Sequence, residues 1–225
     1  MNRVLVALSL LAAFVLTGCS KSVPYDYTAF KESKPKSILV LPAVNKSLEV
    51  KAGHSLISQV TYPLAESGYY VLPVAVVEET LQQNGVTVGQ DAQNISYKKL
   101  HEIFGADSAL YLDIEEYGTQ YQIINSDTRV TASAKLVDLR SGKQLWSGRA
   151  VASSTENQNN SNSNLIGMLV SAVISQIANT ITDKGHEIAG ITSYRLLTAG
   201  GNRGLLYGPR SEHYGKEEHL TANNR

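Results

Sequence analysis

Two stretches of the 225-residue chain alternate apolar and polar residues, and they constrain the fold more than anything else in it. In Ala109 to Tyr117, Leu110, Leu112 and Ile114 fall on one side, and Tyr111, Asp113 and Glu115 on the other. Val130, Ala132, Ala134 and Leu136 repeat the pattern. A period of two with one apolar side is the mark of a strand covered on one face. Asp138-Leu139-Arg140-Ser141-Gly142-Lys143 has turn chemistry and leads into Leu145-Trp146. The region from about Gln122 to Ser153 therefore reads as a long antiparallel hairpin.

The preceding residues read differently. Ser37-Ile38-Leu39-Val40-Leu41-Pro42 is a short continuous apolar run, the signature of a strand buried on both faces. From Gly53 to Ser67, Leu56, Ile57, Val60 and Leu64 recur at helical spacing, with Pro63 expected to kink or shorten the helix. Tyr69 to Leu72 forms a second strand. Val74 to Gln83 is a helix stopped by Asn84-Gly85, and Ser96 caps a short helix ending at Phe104-Gly105. Ser153 to Asn164, without Leu, Ile, Val or aromatic residues, reads as a loop. Leu165 to His186 is expected to be the longest helix, with Ile166, Val170, Val173, Ile177 and Ile181 on its apolar stripe. The order β-α-β-α-α-β-β-β-α predicts an α/β domain with a mixed five-stranded sheet and helices packed on it.

The amino terminus says where the chain goes. Val4 to Leu16 is a thirteen-residue stretch with Ser9 as its one polar residue, preceded by Arg3. Spanning a bilayer takes about 20 apolar residues, so this run fits a signal-peptide core instead. It ends in Leu16-Thr17-Gly18-Cys19, which resembles the lipobox of bacterial lipoproteins: cleavage precedes Cys19 and its sulfur takes the lipid. Cys19 is the sole cysteine of the chain. Ser20 after it, in place of Asp, favours export to the outer membrane by the same resemblance. The expected domains are a signal peptide (1–18), a lipidated tether (19–36), a single α/β domain (37–195) and a polar tail (196–225) with a docking segment at 205–210. Lys31, Lys34 and Lys36 in the tether either touch anionic headgroups or are simply solvated.

Twenty basic and twenty acidic residues give a net charge of zero, which argues against bulk nucleic-acid binding. No Gly-x-Ser-x-Gly elbow, Walker loop or dinucleotide-binding glycine fingerprint is present. None of the five His sits in a His-Glu-x-x-His pattern, so no metal or other cofactor is expected. Asp113 and Glu115 share a strand face and are the one candidate pair for acid–base chemistry or small-ligand binding. Twelve Tyr and one Trp against three Phe is a bias toward partly wet aromatic surfaces. Tyr62, Tyr69, Tyr70, Leu205, Leu206 and Tyr207 are the candidate interface residues. Leu205-Leu206-Tyr207-Gly208-Pro209-Arg210 docks either on its own domain or on a neighbouring subunit.

The lipobox, the strand 37–42, the stretch Tyr62-Pro63-Leu64-Ala65-Glu66-Ser67-Gly68-Tyr69-Tyr70-Val71-Leu72-Pro73-Val74 and the segment 205–210 together resemble the outer-membrane lipoprotein family catalogued as domain of unknown function 799, the meningococcal-antigen-like lipoproteins. The resemblance implies a fold like the amino-terminal domain of TolB. It implies company as well: a CsgG-like pore lipoprotein and a second small lipoprotein, in envelope assembly or export. It brings no catalytic residues. The expectation is a non-enzymatic outer-membrane lipoprotein facing the periplasm, a subunit or accessory of such a complex or a homodimer. The rival readings are an activator of a peptidoglycan synthase, an architecture related to this one, and a hydrolase or ligand binder using Asp113 and Glu115.

Overall fold

A computed structural model describes residues 25–121, 126–156 and 183–216. In chain order the elements are α1 (Thr28–Ser33), β1 (Ser37–Val40), β2 (Val44–Asn45), α2 (Ala52–Glu66), β3 (Tyr70–Val71), α3 (Val74–Gln83), α4 (Gly89–Asn94), α5 (Tyr97–Phe104), β4 (Ser108–Tyr121), β5 (Ser126–Asp138), β6 (Gln144–Ser153) and α6 (Lys184–Leu197). The sheet runs β3-β1-β4-β5-β6 and contains all five expected strands; the two-residue β2 is a sixth, paired with β4. β1 is parallel to β3 and β4, while β4–β5 and β5–β6 are antiparallel. This is the expected mixed α/β arrangement, an open mixed sheet with helices packed on it.

Burial follows the sequence pattern. Ile38 and Val40 enter one core and Leu39 and Leu41 the other, so β1 is covered on both faces. Leu110, Leu112 and Ile114 of β4 meet Val130, Ala132, Ala134 and Leu136 of β5 in the larger core, beneath α2 and α6. The smaller core lies on the opposite face, where Val77 of α3, Ala92 of α4 and Leu100 of α5 pack on Leu39, Leu41 and Ala109. Ser96 caps α5 by accepting from the Lys99 amide, and Gly105 ends it in the left-handed conformation (φ +64°).

Pro63 does not break α2. A proline lacks the amide that would bond the carbonyl four residues back, here that of Gln59. The Ser193 hydroxyl of α6 donates to that carbonyl instead, at 3.2 Å. The lost bond is replaced from another helix, and α2 runs its full fifteen residues.

Three boundaries are corrected. The expected tether contains α1: Tyr27 and Phe30 are buried in the larger core, Tyr25 packs against it, and the Tyr27 hydroxyl donates to the Gly204 carbonyl at 2.6 Å. A helix of six residues with one buried side chain is too short to show a period. At the other end, α6 continues through Gly190 to Leu197, beyond the expected stop; 165–182, the bulk of the expected longest helix, lies outside the described residues. The tail expected from 196 is part of the domain, because Leu196, Leu197, Ala199, Leu205 and Leu206 are core residues. The buried face of α6 includes Ala189, Thr192 and Ser193, small residues that a hydrophobicity pattern does not mark.

Candidate functional site

The helices α3, α4 and α5 cover β1 and the start of β4. Beyond Tyr111 the same face of β4, β5 and β6 contributes nothing to the smaller core among the described residues. What it displays is polar. Register places Tyr111 beside Lys135 and Ser147, and Asp113 beside Ser133 and Arg149. These side chains line a depression of about 380 Å³.

Both carboxylates of the candidate acid–base pair lie at this face, and each has a cation. Lys46 Nζ is 2.8 Å from Asp113 Oδ2, and Arg149 Nη2 is 2.8 Å from Glu115 Oε2. The Arg149 guanidinium holds Glu115 below the usual carboxylate range. Proton donation near neutral pH needs the opposite displacement, so Glu115 is set up as fixed charge. The two cations come from β6 and the loop after β2, contacts that no spacing in the sequence reveals.

At the distal end of the sheet, the loop between β2 and α2 runs beside β4. The Lys46 amide donates to the Ile114 carbonyl at 2.9 Å, and Glu49 lies against Gly118. From this loop Leu48 projects fully exposed and Val50 is 92% exposed. Single exposed apolar residues are ordinary on protein surfaces. Two on one short loop beside an open sheet face form the most accessible apolar feature of the described residues. The sequence offered no signal for them, since both are typical core residues.

A serine–histidine contact was likewise missed. His186 Nδ1 lies 2.9 Å from Ser55 Oγ, its Nε2 lies 2.7 Å from the Gln59 amide nitrogen, and the Tyr117 hydroxyl donates to Ser55 Oγ at 2.7 Å. With the Gln59 amide donating to Nε2, Nδ1 carries the proton and Ser55 oxygen receives two donors. An activated serine must instead give its proton to the imidazole. Burial raises the Tyr117 hydroxyl above its ordinary range, which keeps it a donor. The cluster ties α2, α6 and β4 together. Among the described residues no group of His, Cys, Asp and Glu could hold a metal ion, and no helix is long and apolar enough to cross a membrane.

The candidate interface residues divide. Tyr69, Leu205 and Leu206 are core residues of their own domain, with the Tyr69 hydroxyl donating to the Leu206 carbonyl at 2.6 Å, so they are not contact surface for a partner. The segment 205–210 docks on the domain that carries it. Tyr207 is half-buried beside His213, at a ring distance of 5.1 Å. Tyr62 is 66% exposed, and Tyr70 is exposed beneath the Arg210 guanidinium at 5.3 Å. Cys19 lies outside the described residues.

A family model described as "Putative lipoprotein GNA1162-like" matches residues 25–210. The chain is 50% identical over 205 residues to "Putative lipoprotein NMB1124/NMB1162" of Neisseria meningitidis serogroup B, covering 90% of this chain and 94% of that one. It is also similar to the crystal structure of lipoprotein GNA1162 from Neisseria meningitidis, with 53% identity and a TM-score of 0.53 over 65% of this chain and all of that one. A weaker likeness is to the LpoB carboxy-terminal domain of Escherichia coli, at 17% identity and a TM-score of 0.38 over 52% of this chain and 82% of that one. The chain belongs to the GNA1162-like lipoprotein family.

Proposed function

We propose that this lipoprotein is a non-enzymatic subunit or accessory of a cell-envelope assembly or export complex. It would be anchored in the outer membrane through acyl chains on Cys19, face the periplasm, and bind a CsgG-like lipoprotein, with a small companion lipoprotein as a third member. The observation that carries the reading is the loop bearing Leu48 and Val50 beside the open polar sheet face. Apolar side chains this exposed add nothing to the stability of their own domain. A partner that covers them gains the burial instead, and the Lys46–Asp113 and Arg149–Glu115 pairs beside them supply a polar rim.

The test uses the same exposure. Leu48→Glu with Val50→Glu should change domain stability by less than about 0.5 kcal/mol, as for surface positions generally. The same variant should lose the partner from detergent extracts of cross-linked membranes. An unchanged partner would overturn this placement of the interface. The peptidoglycan-synthase-activator reading requires reach across the periplasm. With Tyr25 already packed against the core, six residues from Cys19, the tether is too short to favour it.

A further inference from the structure

We infer that α1 lies on the bilayer surface, with Lys31, Lys34 and Lys36 against anionic lipid headgroups. The inference rests on the lipid-anchor reading of Cys19, and it follows from a length. Tyr25, the first of the described residues and packed on the larger core, lies six positions along the chain from Cys19. Fully extended, six such steps span about 20 Å. A domain of this size is roughly 40 Å across. The anchor is thus shorter than the body it holds, and the body cannot stand one diameter away from the membrane or turn freely above it. The face beginning at Tyr25 has to be the near face.

The chemistry of that face fits a lipid surface. The Tyr25 and Tyr27 rings meet at a 45° tilt with centroids 4.8 Å apart, and α1 follows directly. Lys31, Lys34 and Lys36 are exposed, and none has a carboxylate within 4.0 Å among the described residues. The nearby acids are engaged. Glu32 meets Lys143 Nζ at 3.5 Å, and Asp26 accepts from the Thr28 amide. Asp107 accepts from the Lys36 and Ser37 amides. Asp138 is buried in contact with Arg140, whose guanidinium also donates to the Ser33 carbonyl at 2.7 Å. Three lysines within a six-residue span are therefore exposed without an ion-pair partner among the described residues, and their attraction to an anionic surface acts once the anchor brings them within about one Debye length of it. Each lysine near an anionic membrane contributes about a fivefold preference.

The experiment uses the full-length, lipidated protein in vesicles of phosphatidylethanolamine and phosphatidylglycerol, with a quencher attached to the lipid headgroups. A fluorophore is placed at Thr28→Cys on α1, or at Gln82→Cys on α3 over the opposite face of the sheet. The label at 28 should be quenched several-fold more than the label at 82. Lys31→Glu with Lys34→Glu and Lys36→Glu should shrink that difference several-fold, to what the short anchor alone maintains, while the protein still floats with the vesicles. Equal quenching at 28 and 82, or a difference undiminished by charge reversal, in protein that floats overturns the inference and leaves the anchor standing. Protein that does not float overturns the anchor reading, and this inference with it.

Discussion

Replacing Gly68 with alanine is expected to destabilise the domain by about 4 kcal/mol and to release the segment from Leu205 to Ser211. Two effects combine. Gly68 has φ +94°, a conformation that costs a residue with a side chain about 1–3 kcal/mol. A Cβ there would also sit 2.5 Å from the Ser211 amide nitrogen and 2.7 Å from the Gly208 carbonyl oxygen. Both are backbone atoms and cannot swing aside, which adds roughly 1–3 kcal/mol. The contact being forced apart is the one that seats the carboxy-terminal segment: the Gly208 amide donates to the Ser67 carbonyl at 2.8 Å, and the Arg210 amide to the Gly68 carbonyl at 3.1 Å. For a domain of this size, the change should lower the melting temperature by about 10 °C. Gly85→Ala is the control, because Gly85 has φ +81° with nothing within 4 Å of the added Cβ. It should cost the conformational part alone. Thermal unfolding by circular dichroism reads both. The fluorescence of Trp146, whose indole donates to the Arg203 carbonyl at 2.9 Å, should change only for Gly68→Ala.

The second large effect concerns Asp138, at the end of β5. Its carboxylate accepts from the Ser33 hydroxyl, from Arg140 Nη2 at 2.8 Å, from the Arg140 and Ser141 amides at 2.9 and 2.7 Å, and from the Ser141 hydroxyl at 3.0 Å. Burial opposes the charge, but these donors outweigh it and hold the carboxyl well below the usual carboxylate range. A carboxyl depressed by folding stabilises the native state at every pH above its unfolded value, near 4, and loses that contribution as the pH falls toward the folded value. Asp138→Asn should therefore cost about 2–3 kcal/mol at pH 7, where it leaves the half-exposed Arg140 guanidinium and several donors of the turn without their anion. In urea unfolding, the gap between native protein and variant should shrink at pH 3. A gap that is the same at both values would show that the carboxylate's charge is not what holds this turn to α1.

Much of this architecture can be read from the chain, and the exceptions share a cause. The alternation in β4 and β5, the Ser96 cap and the Gly105 stop are local: each depends on residues within one or two turns of itself. Pro63 misled because its remedy, Ser193, is 130 positions away. α1 was invisible because one buried phenylalanine makes no period, and α6 ran long because its packed face is built of small residues. The same division applies to the candidate site. Asp113 and Glu115 were visible as a pair on one strand face, but the cations that pair with them arrive from other elements. Tyr69 and Tyr70 look alike in sequence, yet they point to opposite sides of the chain, one into the core and the other outward. Leu48 and Val50 have no local signature, since what marks them is the absence of neighbours.

The most direct test of the account is recovery of the tagged, lipidated protein from cross-linked membranes in mild detergent, with mass spectrometry of what accompanies it. A pore-type, CsgG-like lipoprotein is expected in fixed proportion, lost when Leu48 and Val50 carry glutamate. Recovery of a peptidoglycan synthase, or of this chain alone, would contradict it.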